Sequence, residues 1–539
     1  MSDSDNDKNK INLSEYTIAL IDSLKSIKPR TKPDEITSLT VSQTVSLFAL
    51  VYEKVRNAME FREDHLILRA AIERILRRRL SINPEGKGEA ENLLRELLWA
   101  RYFDNGDLGE NDVDKIQQLI DDYVFIRNKT ILGRPREVQV FLNQFLLDIY
   151  TCEIEEYLKP ESAQKQANFT FFIYQVLRNK IKIEGIKEEQ KDAYFLAAIE
   201  KAYGRSDRPY LRYHLFATFY KPLREYSRSQ LNELSHQLPN IFKKIDEIAN
   251  NQFVDKLIKF TRKQLPPFLI LFELIKKNPE NVKDILTNRQ ILWEKVDEIC
   301  REKYQQMGKK ITNLGIKSFI YILLTKMLFA LILEFPLSKF FYNEVNYESI
   351  AINTLFPPIL MIIILGFFRV PDENNTKKIY ERIIDIINSD QKFETTVALI
   401  AKNYRIKKPI LIFGFTIFYS LTFFVTLSLI HEFLINLNFN LISEIIFIFF
   451  VSVVTFFSYR IRQVTKELTL TEKESIFTPV IDFFFMPILS LGKFFSQEIS
   501  KLNFLIFILD FIIEAPFKLL FEVVEEWISF VRKRKEEII

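Results

Sequence analysis

Glycine is scarce, with 12 in 539 residues against a usual share of ~7%. Nucleotide-binding α/β folds need glycines where backbone must approach phosphate, so such a domain is not expected. The two cysteines, Cys152 and Cys300, are far apart, and both precede the first long apolar run. A cytosolic location would keep them reduced, and a structural disulfide is not expected. The four histidines, His65, His214, His236 and His431, are mutually scattered and supply no metal-ligand spacing. The net charge of +4 is too small to argue for a nucleic-acid partner. At the N-terminus, MSDSDNDKNK is polar and charged with no apolar core after it, so no secretory signal is expected.

Catalytic signatures are missing as well. Asp104-Asn105-Gly106-Asp107-Leu108-Gly109 places a glycine where the sixth position of a calcium loop needs one. Gly106 and Leu108 stand where oxygen ligands belong, however, and Lys115 replaces the closing glutamate, so a helix–helix turn is expected. His431-Glu432 begins a zinc-protease pattern, but Ile435 stands in place of the second histidine. Nothing resembles a phosphate loop, a nucleophile elbow or a kinase set. The sequence gives no reason to expect an enzyme, a cofactor or a bound metal.

What the chain does have is apolar sequence concentrated in its final third. About 20 mostly apolar residues cross the hydrocarbon, and a helix satisfies its own backbone there. Ile350–Phe368 and Pro409–Ile430 meet that test without a charge. Ile316–Phe335 meets it with Lys326 at its centre and Glu334 near its end, and Leu441–Ser458 with Glu444 near its start. Four spans are therefore expected. Lysine and arginine mark the cytosolic ends. Lys309, Lys310 and Lys317 precede or begin the first span, nine basic residues occupy Arg369–Lys408, and Arg460, Arg462 and Lys466 follow the fourth. The intervening segments have Lys339 and no other basic residue, so both termini and the long middle loop are expected in the cytosol of an inner-membrane protein.

The last eighty residues leave two readings open. Ile476–Phe495 is apolar but contains Asp482, Lys493, Pro479 and Pro487. Asp510, Glu514, Lys518 and Glu522 recur at i,i+4 spacing on one helical face, with Pro516 between them. Amphipathic helices lying in the interface fit that periodicity and are favoured. The alternative is a fifth and a sixth span that turn their carboxylates inward.

From residue 11 to about 313 the pattern is helix after helix. Pro33-Asp34 signals a helix burying Val41, Val45, Phe48, Tyr52 and Val55. Further helices are expected over His65–Leu80, Ala90–Tyr102, Val113–Phe125, Glu137–Leu158, Gln164–Ile181, Glu188–Tyr203, Tyr210–Phe219, Ser229–Asn250 and Arg289–Lys309. No fixed period of 30–45 residues marks a solenoid. The arginines Arg77–Arg79 are expected on a solvated face, with few aromatics interleaved for nucleic-acid stacking.

The expectation is thus an all-α chain: a disordered start over residues 1–10, an irregular helical cytosolic domain over 11–313, four spans over 314–458 with the loop 369–408, and amphipathic or embedded helices over 459–539. The segments LLRELLWARYF (Leu93–Phe103), FFRVPDENNTKKIYERI (Phe367–Ile383) and DFIIEAPFKLLFEVVEEWISFVRKRKEE (Asp510–Glu537) resemble a group of bacterial multi-pass membrane proteins of no assigned activity. That resemblance runs from about Glu73 to the end and implies membrane residence but no site.

Ionisable residues inside the bilayer each cost a few kcal/mol, so they lead any functional reading. Lys326, Glu444, Asp482, Asp510 and Glu514 are the candidates, with Glu444, Asp482 or Asp510 as the natural counter-charge to Lys326. Asn353 and Pro357-Pro358 in the second span are a further place where a helix could break. The favoured function is a non-enzymatic membrane-anchored scaffold that contacts lipid and binds a protein partner or a second copy of itself. The rival is a small-solute or ion transporter or channel that uses those charges.

Overall fold

The structure is a computed structural model that describes residues 10–34, 36–60, 64–183, 185–343, 346–366, 370–388, 398–400, 409–470 and 485–495, with short pieces between 523 and 534. Among these residues the chain is helical apart from one pair of three-residue strands, so the all-α expectation holds. It divides into two compact units, one built on Glu15–Arg262 and the other on Lys263–Phe393 and Ala401–Asn503.

The first unit is a stack of helices around Arg136–Leu158, which is covered by Asp64–Ile82, Glu110–Ile131 and Arg208–Phe219. Phe145, Leu146, Ile149, Tyr150 and Ile154 are all fully enclosed. Phe145 stacks on Phe242 with ring centroids 3.9 Å apart, which locks Leu238–Ala249 onto the same core. Gly109 begins the Glu110–Ile131 helix, and the Asp112 carboxylate accepts from its amide at 2.8 Å. Asp107 in the turn before it pairs with Lys32. The glycine-rich stretch is therefore a turn feeding a helix cap.

Several expectations need correcting. Pro33-Asp34 does not start a helix: residues 38–42 stay outside helix, with Ser38 bridged to Gly109, and the helix runs Gln43–Glu60. Val41 and Val45 are buried as expected. Ser229–Asn250 is two helices, Arg228–Ser235 and Leu238–Ala249, parted just before Pro239, which takes an early helical position. Gln252–Lys277, which is not among the expected helices, is helical through Pro266-Pro267. Ile181–Ile183 pairs in parallel with Ala398–Ile400. Arg77, Arg78 and Arg79 are not a free solvated face: Arg77 pairs with Glu73, and Arg78 and Arg79 both pair with Glu96.

The second unit is organised by Arg289–Phe329, a single helix of 41 residues, roughly 60 Å long. Its polar first half holds the amphipathic helix Glu373–Ile387, which buries Ile379, Ile383, Ile386 and Ile387. Asn375 fastens that contact: its amide donates to Tyr304 Oη and to the Leu468 carbonyl, each at 2.8 Å, and its oxygen accepts from the Leu470 amide. The apolar second half continues through a π-helical turn, Ala330–Glu334, into Phe335–Tyr342.

Four helices of the described residues are long and apolar enough to cross a membrane, over Arg289–Tyr342, Tyr347–Gly366, Phe413–Asn436 and Leu441–Ser458. Water is not the solvent that suits them. Only 6% of the Phe413–Asn436 window is buried, and Phe413, Phe415, Phe424 and Leu429 are each at least two-thirds exposed. An apolar face of that size on every side is the mark of a helix bathed in lipid. The first, second and fourth of these helices pack on one another, Phe356 on Phe447 and Phe329 on Phe450. At Gly315 a side-chain Cβ would come within 2.6 Å of Leu365 Cδ1, the tip of a flexible side chain, so the first and second helices approach closely there and leave room for little more than a methyl group.

Candidate functional site

Lys326 is fully buried, and its partner is Glu334. The two are eight residues apart on the same helix, a separation that turns them about 80° from each other on a regular α-helix. The π turn between them takes up one extra residue, so Glu334 returns to the face that an i,i+7 neighbour would occupy. The ammonium lies 3.3 Å from Glu334 Oε2 and 4.8 Å from the centre of the Phe450 ring. The counter-charge is thus local, and Glu444 does not supply it. Asp482, Asp510 and Glu514, the other candidates, lie outside the described residues.

The other oxygen of Glu334 accepts from Asn353 Nδ2 at 2.6 Å, and the same amide donates to the Ser443 carbonyl at 3.0 Å. Asn353 therefore binds the first, second and fourth apolar helices at one point. Around it Ser338, Ser349 and Ser443 are buried, with Asn440 Nδ2 donating to Ser338 Oγ at 3.0 Å. Two atoms of this cluster, Asn353 Oδ1 and Ser443 Oγ, have no protein partner.

Glu444 belongs to a second clasp. Its Oε1 lies 2.7 Å from His431 Nδ1, which joins the fourth helix to the third. His431 is half exposed, whereas Glu444 is buried. An apolar knot of Leu434, Phe439 and Phe447 closes beside it. Asn346 completes this end of the bundle: its oxygen caps Tyr347–Gly366, and its amide donates to the Asn438 carbonyl at 3.1 Å.

The sequence reading noted Glu334 and Asn353 but did not join them. The missing signal is the π turn, which periodicity at 3.6 residues cannot show. Pro357 and Pro358 do not break the second helix, which runs unbroken from Tyr347 to Gly366.

The first unit holds a polar core that the sequence reading missed. The second half of helix Arg136–Leu158, from Phe145 on, carries the carboxylates Asp148, Glu153, Glu155 and Glu156, and all four are tied inward. Asp148 pairs with the buried Arg212 at 2.7 Å. Glu153 accepts from the Leu223 and Arg224 amides, capping a 3-10 turn. Glu155 and Glu156 accept from Tyr210 and Tyr213. Burial pushes Glu153 up to about 8 and Glu155 to about 7, against the opposing hydrogen bonds. Burial works to lower His214, but the Glu200 carboxylate 2.8 Å away prevails and raises it to about 9. Burial works to raise Glu73, and the Arg69 guanidinium overrides it, bringing Glu73 down to about 2. The warning in the sequence was four carboxylates in the core-forming second half of that helix.

No family model matches the chain, and neither a curated protein nor a solved structure matches it. Among the described residues no group of three or more histidine, cysteine or acidic side chains is placed to hold a metal ion. Cys152 and Cys300 are free and buried. The fold and site define an all-helical protein with four helices fit to cross a membrane and a closed polar knot among three of them.

Proposed function

We propose that the chain is a non-enzymatic membrane anchor and scaffold. Its helical unit, Glu15–Arg262, stands in the cytosol and binds a protein partner, while the apolar helices fix it to the inner membrane. The orientation follows the basic residues, which gather at the Lys309–Lys317, Arg369–Lys408 and Arg460–Lys466 ends. One observation supports the anchoring role above the rest: the charge of Lys326 is met within its own helix by Glu334, and Asn353 spends the second carboxylate oxygen on holding three helices together. A charge so enclosed serves packing.

The reading is tested by replacing the pair together. A buried ion pair exchanged for apolar side chains is often neutral or stabilising, whereas loss of one member leaves a charge uncompensated. Lys326→Leu with Glu334→Leu should insert normally and restore growth or morphology to cells that lack the chain. Failure of that well-inserted double variant to restore the phenotype would move the function into the membrane cluster, as ion or solute transport requires.

A further inference from the structure

Helix Phe485–Phe495 is short and apolar, and its contacts show a direction. Ser490 Oγ lies 2.9 Å from Tyr419 Oη on the third apolar helix. Gly492 sits directly against the backbone of the fourth, where a Cβ would overlap the Ser452 carbonyl and crowd Phe456 Cβ. Phe495 packs edge-on against Phe449, with ring centroids 4.9 Å apart.

These partners lie at different depths. Measured along the fourth helix from its basic end at Ser458, a rise of 1.5 Å per residue puts Ser452, against Gly492, about 9 Å in and Phe449, against Phe495, about 14 Å in. Phe485, seven residues and roughly 10 Å before Gly492, then falls at the basic end itself. The hydrocarbon core is ~30 Å thick, so its middle lies at about 15 Å. We infer that Phe485–Phe495 enters the bilayer from the cytosolic face and reaches its middle, seated in the groove between the third and fourth apolar helices as a fifth embedded element.

The interfacial arrangement favoured by sequence periodicity would keep the whole helix at one depth. Its partners would then be residues near Phe413 and Ser458, not Phe449. Close approach through glycine is how helices associate in lipid, where apolar area alone gives no drive. Lys493 is compatible with this placement, because it is exposed and can extend its ammonium back toward the cytosolic headgroups.

A depth measurement decides the matter. The full chain with Cys152→Ala and Cys300→Ala is reconstituted in phosphatidylcholine–phosphatidylglycerol vesicles, with one spin label at Phe485→Cys or Phe494→Cys. Both positions are at least half exposed, and Phe424→Cys on the third helix gives the mid-depth reference. Relaxation by oxygen relative to a water-soluble nickel chelate should be several-fold greater at 494 than at 485, with 494 close to the reference. Equal, shallow values at 485 and 494 would overturn the insertion and establish an interfacial helix. Nickel access at 494 from outside intact vesicles would overturn it in favour of a full crossing. Gly492→Leu should move 494 toward the surface while the 424 reference stays put, and an unmoved 494 would contradict the seat on Ser452.

Discussion

Glu153 shows how one side chain ties the first unit to pH. Its folded value of about 8 lies above the usual ~4.3 of a glutamate, so its contribution is complete at low pH and is lost as pH rises through 8. Glu155 behaves alike, with its loss running from the ordinary glutamate value and complete by about 7. His214, raised to about 9 from 6.5, contributes fully below 6.5 and loses that contribution as pH rises through 9. Glu73 acts in the opposite sense: held near 2, it contributes above the ordinary glutamate value and fails as pH falls toward 2. The unit should therefore be most stable in mild acid and lose on the order of 5 °C of Tm between pH 6 and pH 9. Circular-dichroism melts of the purified chain across that range check this. Glu153→Gln keeps a neutral acceptor for the Leu223 and Arg224 amides, so it should flatten the loss and raise stability at pH 8.5 by about 1–2 kcal/mol. An unchanged pH profile in that variant would remove Glu153 from the account. Little of this was legible beforehand, because burial of a carboxylate depends on what a fold places around it.

At the scale of elements, periodicity carried most of the reading. The long helices at Asp64–Ile82, Arg136–Leu158 and Glu188–Ala202 and the four apolar runs all stand close to where their patterns put them. Misses came where local chemistry is ambiguous. The 26-residue helix through Pro266-Pro267 was not among those expected, and the hydropathy change near residue 313 hid the continuity of Arg289–Phe329, which passes from polar to apolar sequence without a break. The π turn at Ala330–Glu334 was invisible for the same kind of reason: an extra residue in one turn leaves no mark in composition. Close approach of helices gives the clearest prediction at this scale. Gly315→Ala displaces only the tip of Leu365 and should cost little, whereas Gly315→Leu should force the first and second apolar helices apart at a cost of about 2–3 kcal/mol. Thermal inactivation of the purified variants in detergent distinguishes them, and equal stability of the two would show that the contact is slack.

For the whole molecule, the sequence separates charge into its first three hundred residues and apolar runs into the remainder, while contacts group the chain into two compact units. The line between them falls elsewhere than hydropathy suggests: Lys263–Asn313 groups with the apolar helices, because the helix that carries Lys326 begins at Arg289. Contacts decide that boundary, and hydropathy does not record contacts. The apolar helices are joined by polar contacts at Asn353 and at the His431–Glu444 clasp as well as by aromatic packing, the kind of contact that associates helices where the solvent is itself hydrocarbon. Asn353→Leu should leave Glu334 with Lys326 alone and release the fourth helix from the knot, lowering thermal stability by about 1–2 kcal/mol without changing membrane insertion.

The central claim is that Lys326 and Glu334 form one closed structural unit, and a double-mutant cycle tests it most directly. Thermal unfolding of the purified chain in detergent is measured for the native protein, Lys326→Leu, Glu334→Leu and the double variant. The account predicts that each single substitution costs about 3–5 kcal/mol and that the double variant recovers most of it. Additive losses, with the double variant as unstable as the two singles combined, would contradict it and show that the two charges answer to different partners.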